Sequence, residues 1–338
     1  MNKKTVRIAQ AGITNHGETI LTAIRAAESL ELVSLFDVKS KETAAAAEKF
    51  KVRPAASYED LVNDPSIDAV ALVTPNQLHA DEVEIAARAG KHVFVEKPIA
   101  GTLGDARRVI NAMRTAQRTL MVGHNTRRRP VFRKAKQILK EQKLGQIVGA
   151  EMNLSRPAGL FPDLPPWKAD PKTTPILPMT QLGIHFVDTV MYLFGAEITS
   201  VSCVATNVAM KGGALDASAA LFQLSTGIPV TLSSYYVSPD VYYFQIYGTK
   251  GILRCSNAGI ELDLLDNGVL KRATAEQFPS EGFASYIEEM EEFGQCILSG
   301  KPPETGGEEG LKSLAVIEGM TQSFRTQSII VPANLLKD

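Results

Sequence analysis

Between Thr5 and Gly123 short β-branched runs alternate with amphipathic helical stretches, and that order admits few folds. Strands are expected over Thr5–Ala11, Leu32–Asp37, Ala69–Thr74, His92–Glu96 and Thr119–Gly123. Helices are expected near Glu18–Ser29, Lys41–Phe50, Ala80–Ala89 and Leu103–Ala116, where apolar residues recur three or four apart. Crossovers of this length require right-handed βαβ winding. The spacing therefore predicts a doubly wound parallel sheet of the Rossmann type over residues 1–123, a nucleotide-binding domain.

Past Gly123 the pattern changes. An amphipathic helix near Val131–Gln142 is followed by strand-like runs at Gln146–Ser155, Ser200–Met210, Ala217–Leu224, Val230–Val237, Tyr242–Tyr247 and Ile252–Cys255. Short glycine-containing turns join several of them, so an open, mainly antiparallel sheet is expected. One long helical interruption carries His185. Helices at Ala284–Leu298 and Gly310–Arg325 close a second domain expected over residues 124–338. Seven prolines and the sole tryptophan, Trp167, fall within Pro157–Pro178. That stretch reads equally as a cover over a pocket or subunit contact and as an ordinary rigid loop.

At 338 residues and 44% hydrophobic composition the chain can bury two cores. A formal charge of -1 provides no global field for nucleic acid or an anionic membrane, so small, neutral partners are expected. Three widely separated cysteines, Cys203, Cys255 and Cys296, match neither a disulfide framework nor a zinc site. With no apolar run long enough to span a bilayer, the chain is expected in the cytoplasm, without a metal.

Open α/β sheets bind ligands at the carboxyl ends of their strands, and here those ends carry unusual residues. The first strand runs into Gly12-Ile13-Thr14-Asn15-His16-Gly17, a dinucleotide loop with its first and third glycines but Thr14 at the second. Since a β-branched residue at positive φ is an outlier, an altered loop is expected. The helix after it still attracts phosphate. Asp37, 20 residues after Gly17, suits a ribose 2'-hydroxyl and repels a 2'-phosphate, so NAD is favoured over NADP; Lys39 and Lys41 temper that preference. The third strand ends in Thr74-Pro75-Asn76, which would approach the nicotinamide ribose, with His79 either beside it or merely starting a helix. The fourth ends in Glu96-Lys97-Pro98, and the proline fixes the backbone just after the lysine.

These motifs resemble the glucose-fructose oxidoreductase, inositol dehydrogenase and MocA-like proteins, the Gfo/Idh/MocA family. The resemblance rests on Thr74-Pro75-Asn76 with His79, Glu96-Lys97-Pro98, Arg127 three before Pro130, Gly183-Ile184-His185 with Asp188, and the stretch from Pro302 to Leu311. It implies NAD(P)-linked oxidation of a sugar or cyclitol hydroxyl, and a C-terminal sheet used for homodimers or homotetramers. Lys97 and His185 match the family's catalytic positions, through which the hydroxyl proton leaves. A free lysine titrates near about 10.4 and a base useful at neutrality needs about 7 to 8, so burial and the oxidised nicotinamide must lower Lys97.

Two departures from the family pattern stand out. Gln181 replaces an aspartate four residues before His185; it can still bond substrate hydroxyls from one helix face but supplies no charge. Lys97 then becomes the principal base, with His185 more an orienting group. Ile176-Leu177 replaces a glycine pair, which narrows the room for substrate or changes the loop. Arg127, with Arg128 and Arg129, reads as an anion contact or a solvated helix start; Asp188 orients or caps; His124 and Trp167 are further substrate candidates. Two other functions remain open from sequence: glycoside cleavage by transient oxidation and elimination, and a non-catalytic NAD or sugar sensor, the latter suggested by Thr14, Gln181 and Ile176-Leu177.

Overall fold

The computed structural model describes residues 5–161, 164–278 and 281–337. Two compact units arise, one from residues 1–125 with 283–311 and the other from 126–282 with 312–338. The expected contiguous division after residue 123 is thus corrected: a C-terminal segment returns to the nucleotide-binding unit.

In the first unit the chain runs β1 (Val6–Ala11), α1 (His16–Ala26), β2 (Leu30–Phe36), α2 (Ser40–Phe50), β3 (Arg53–Pro54), α3 (Tyr58–Asn63), β4 (Ala69–Leu72), α4 (His79–Arg88), β5 (His92–Glu96), α5 (Leu103–Ala116) and β6 (Leu120–Gly123). The six strands pair in parallel in the order β3-β2-β1-β4-β5-β6. Its central strands are buried on both faces, β4 along its whole length, which is why they read as continuous apolar runs. Helix α5 starts where the Thr102 hydroxyl accepts the Asp105 amide, a side-chain cap that satisfies an otherwise orphaned donor.

The second unit contains α6 (Pro130–Lys140), β7 (Ile147–Ser155), α7 (Pro166–Ala169), α8 (Ile184–Phe194), β8 (Ile198–Thr206), β9 (Ala217–Leu224), β10 (Pro229–Tyr235), β11 (Val241–Gly248), β12 (Gly251–Ser256), β13 (Gly259–Asp266) and β14 (Val269–Gln277). Its eight-stranded sheet has the order β14-β13-β12-β11-β7-β10-β9-β8, antiparallel except where β7 meets β10. Alternate residues of β9 and β10 are buried, the period expected of a sheet packed on one face. Phe132 of α6, Phe186 of α8 and Phe244 of β11 meet edge to face at 5.5–6.0 Å in that core. On the other face the Tyr243 and Tyr247 hydroxyls donate to the two oxygens of Glu151, at 3.0 and 2.9 Å.

Helices α9 (Glu281–Ser299) and α10 (Gly307–Thr326) end the helical order. Met290 and Phe293 of α9 complete the first unit's core with Phe94, and Gly294 lies so close to Ser29 that a Cβ would stand 2.1 Å from its hydroxyl. The Thr305 carbonyl accepts the Val122 amide and its hydroxyl donates to the Val122 carbonyl, which covers the β6 edge. Residues 283–311 belong with the first unit for these reasons.

Candidate active site

The nucleotide loop is shaped by its two glycines. Gly12 has φ +83°, and a Cβ there would stand 2.4 Å from the Val73 carbonyl; a Cβ on Gly17 would stand 2.4 Å from the Gly12 carbonyl. At the position where Thr14 led an altered loop to be expected, the positive φ, 53°, falls on Asn15 and not on Thr14. The buried Gln10 side chain, which sequence reasoning passed over, donates to both the Gly12 and Gly17 carbonyls at 2.8 Å and ties the loop closed. Replacing Gly17 by alanine should force the loop open and weaken dinucleotide binding at least about tenfold, roughly 1.4 kcal/mol, measured by NADH fluorescence titration.

Asp37 accepts the Ile13 amide at 3.0 Å and the Lys39 amide at 3.1 Å, so it braces this loop. A carboxylate has about four acceptor sites, which leaves capacity for ribose hydroxyls. His16 opens α1 and bonds Glu96 at 2.9 Å, with its ring edge-on to Tyr286 at 5.4 Å. Glu96 also accepts the Lys97 backbone amide at 3.0 Å. Burial by itself would raise the Glu96 carboxyl, but His16 and the charge of Lys97 hold it below its ordinary range. The Lys97–Pro98 peptide is cis, and Lys97 is half-buried between the buried Glu96 and Pro98.

At the end of β4, Pro75 turns the chain between Thr74 and a buried Asn76. The Asn76 Oδ1 and Gln77 Nε2 atoms are buried without a protein partner. Glycines that keep room for a close backbone approach, a helix N-terminus and these two unsatisfied polar atoms fit a dinucleotide. His79 starts α4, one of its two expected readings. Its ring is buried, Nδ1 lying 3.0 Å from the Pro98 carbonyl and Nε2 3.0 Å from the Thr74 carbonyl, so the imidazole joins two strand-end turns rather than lining a cofactor surface. Burial lowers its pKa. His124 is likewise buried, at the end of β6.

In the second unit, Met179–Gly183 forms a π-helical turn before α8, a feature often found at functional sites. Gln181 lies within that turn, so the simple α-helical spacing expected between Gln181 and His185 is replaced by a wider one. Gln181 is buried, while His185 is the one residue of 181–190 that is not. The Thr126 hydroxyl lies 3.1 Å from His185 Nδ1 and orients the ring; its role was not foreseen, because nothing in the sequence links positions 59 residues apart.

Arg127 requires a correction. Its Nε and Nη2 bond the two oxygens of Asp188 at 2.8 and 2.5 Å, and Tyr192 lies beneath the guanidinium at 5.1 Å. Side-chain exposures of 8% and 1% make this an internal ion pair, neither an anion contact nor a solvated helix start. Arg128 is wholly buried, and Arg129 bonds Asn257 and lies 4.5 Å over Tyr242. Ile176 and Leu177 are core residues, Ile176 bridging to Leu215, so they anchor the loop rather than narrow a pocket. Trp167, on the short α7, is half-buried with Lys168 over its ring at 5.4 Å, and the Thr173 and Thr174 hydroxyls donate to the carbonyls of Trp167 and Lys168. Pro162 and Asp163 of the proline-rich stretch lie outside the described residues.

A parallel-sheet unit with a glycine-turned dinucleotide loop and a lysine at a strand end, joined in one chain to an antiparallel-sheet unit, defines a two-unit NAD(P)-dependent oxidoreductase. A model of the NAD-binding Rossmann fold of the Gfo/Idh/MocA oxidoreductase family matches residues 6–124, and a model of that family's C-terminal domain matches residues 132–254. The chain belongs to the Gfo/Idh/MocA family. It is 26% identical to an NADP-linked D-xylose 1-dehydrogenase of Haloarcula marismortui, over 96% of this chain and 92% of that protein. It is 26% identical to an inositol 2-dehydrogenase of Rhizobium meliloti, over 94% and 97%. A levoglucosan dehydrogenase solved with NADH and levoglucosan superposes with a TM-score of 0.89 at 20% identity, covering 97% of this chain and 99% of that one, a likeness of fold. Among the described residues no helix is long and apolar enough to cross a membrane.

Proposed function

We propose that the protein transfers hydride between NAD(P) and a secondary hydroxyl or ketone of a sugar, cyclitol or related polyol, with Lys97 as the principal proton acceptor and donor. The observation that carries this reading is the strand-end cluster in which Glu96 bonds both His16 of the nucleotide loop and the Lys97 amide. The backbone that carries the lysine side chain is thereby tied to the loop that would receive the dinucleotide. When bound, the nicotinamide supplies the hydride acceptor or donor. Lys97 Nζ takes the hydroxyl proton during oxidation and returns it during reduction. The motif resemblance supports His185 as the second proton-handling group; Thr126 engages Nδ1 and directs the role to Nε2. Gln181 holds substrate hydroxyls without adding charge to that histidine.

The substrate class follows the names of the relatives, a xylose dehydrogenase and an inositol dehydrogenase. Asp37 supports NAD over NADP. The tyrosine-lined open face around Glu151 suits self-association into a homodimer or homotetramer, and three buried thiols suit a reducing cytoplasm. The purified protein, assayed at 340 nm with NAD and NADP against aldoses, cyclitols and their ketones, should turn over at least one pair, with NAD preferred. Glycoside cleavage without net NADH would overturn this reading in favour of the elimination route. Cofactor binding without turnover of any member would support a sensor.

A further inference from the structure

We propose that Glu82 is a positioning residue for Lys97, acting through the Thr74 hydroxyl and the His79 imidazole. The inference rests on the assignment of Lys97 as the proton-handling group. Glu82 sits in the first turn of α4, half-buried, and its Oε2 bonds Thr74 Oγ1 at 2.5 Å. The Thr74 carbonyl lies 3.0 Å from His79 Nε2, and His79 Nδ1 lies 3.0 Å from the carbonyl of Pro98, the residue after Lys97. A contiguous chain of contacts therefore runs from a carboxyl group to the turn that carries the lysine, within a single compact unit; the neutral imidazole donates its one N–H to one of the two carbonyls and packs against the other.

The chain changes strength with protonation. Ionised Glu82 accepts the Thr74 O–H in a charge-assisted bond, while protonated Glu82 offers only a neutral one, roughly half as strong. Burial pushes the carboxyl up to about 7, against the Thr74 bond and with help from Asp81, so both forms are populated near neutrality. Among the described residues no cation of the neighbouring elements bonds it: Tyr58 of α3 donates to the Glu82 carbonyl, while Arg108 of α5 is committed to Asp81, Glu84 and Asp105. Above about pH 7 the Thr74 turn, and through His79 the Pro98 turn, is held; below it both loosen.

The test follows the lysine itself and needs no substrate. In protein labelled with 13C at lysine Cε, the Lys97 resonance is assigned by its loss in Lys97→Arg and followed through a pH titration. It should show an inflection near 7 besides its own ionisation, and both Glu82→Gln and Thr74→Val should remove that inflection. An inflection absent from the wild type, or unchanged in Glu82→Gln, overturns the proposal. With a substrate in hand, Glu82→Gln should lower kcat at pH 8 by about threefold to tenfold with both KM values within about twofold.

A merely structural acid would behave differently. The folded-state pKa is raised above the ordinary 4.5, so Glu82 takes stability away as pH rises through about 7, and Glu82→Gln should melt no lower than wild type at pH 8. A marked fall in melting temperature together with an unchanged Lys97 titration would also overturn the proposal. Activity surviving in Lys97→Ala would instead refute the assignment of Lys97, and the resonance coupling is read separately from that result.

Discussion

Lys97→Ala is expected to lower kcat by about a thousandfold while leaving dinucleotide affinity within a few-fold of wild type. A positioned general acid–base group contributes about 10² to 10⁴ in rate, and the lysine stands in a strand-end turn where Glu96 fixes its amide and Pro98 its carbonyl side. Its loss removes proton transfer without disturbing the Gly12–Gly17 loop, which is held by Gln10 and Asp37. Lys97→Arg should be as inactive as alanine, because a guanidinium keeps the charge but does not release its proton near neutrality. Small primary amines should partly rescue alanine but not arginine, since only the former leaves space for an external base. Rates in the oxidation direction should rise with pH through an ionisation that the alanine variant lacks. Residual activity within tenfold of wild type, with the same pH limb, would assign the proton transfer elsewhere.

How far the sequence foretold the molecule depended on whether the governing contact was local. Helix α5 matches its expected bounds because its cap and its apolar period lie within one stretch, and β9 does so because alternation marks a one-sided strand. Strands β13 and β14 were passed over. The second is an exposed edge rich in Lys271, Arg272 and Glu276, with no apolar alternation to announce it. Even so, Asn267-Gly268, both at positive φ, is the tight-hairpin pair that would have revealed it. The return of residues 283–311 to the first unit depends on Met290, Phe293 and Thr305 meeting partners far away in sequence, a relation that no periodicity records.

The site divides the same way. Residues at strand ends were legible, because the carboxyl edge of a parallel sheet is a topological location. What each side chain does there was less so. Thr14 announces an altered loop but not that Asn15 carries the positive φ, and His79 reads equally as a cofactor neighbour and as a helix start until its two nitrogens are placed beside backbone carbonyls. Arg127, Arg128 and Arg129 read as a surface charge run. Burial of three consecutive arginines requires acceptors and aromatic faces from elements distant in sequence, here Asp188, Asn257 and Tyr242.

The Arg127–Asp188 pair provides the second large effect. Asp188→Ala should cost about 3 to 5 kcal/mol in the unfolding transition of the second unit, because it strands a buried guanidinium whose partner carboxylate is gone. Replacing both, as Arg127→Met with Asp188→Leu, should cost clearly less than the sum of the two single changes, since an apolar pair escapes the desolvation that the isolated charge suffers. Denaturant melts of the wild type, Arg127→Met, Asp188→Leu and the double variant give the coupling energy directly. The pair also bears on chemistry, because Asp188 lies three residues after His185 on α8, and the Thr126 hydroxyl that orients His185 directly precedes Arg127. The single variants should therefore lose kcat along with stability, while the apolar pair recovers more of the second than of the first. A cost below about 1 kcal/mol for Asp188→Ala would mark the bridge as no stronger than an exposed one. It would return Arg127 to the role of an anion contact, which a rise in KM confined to acidic sugars would then confirm.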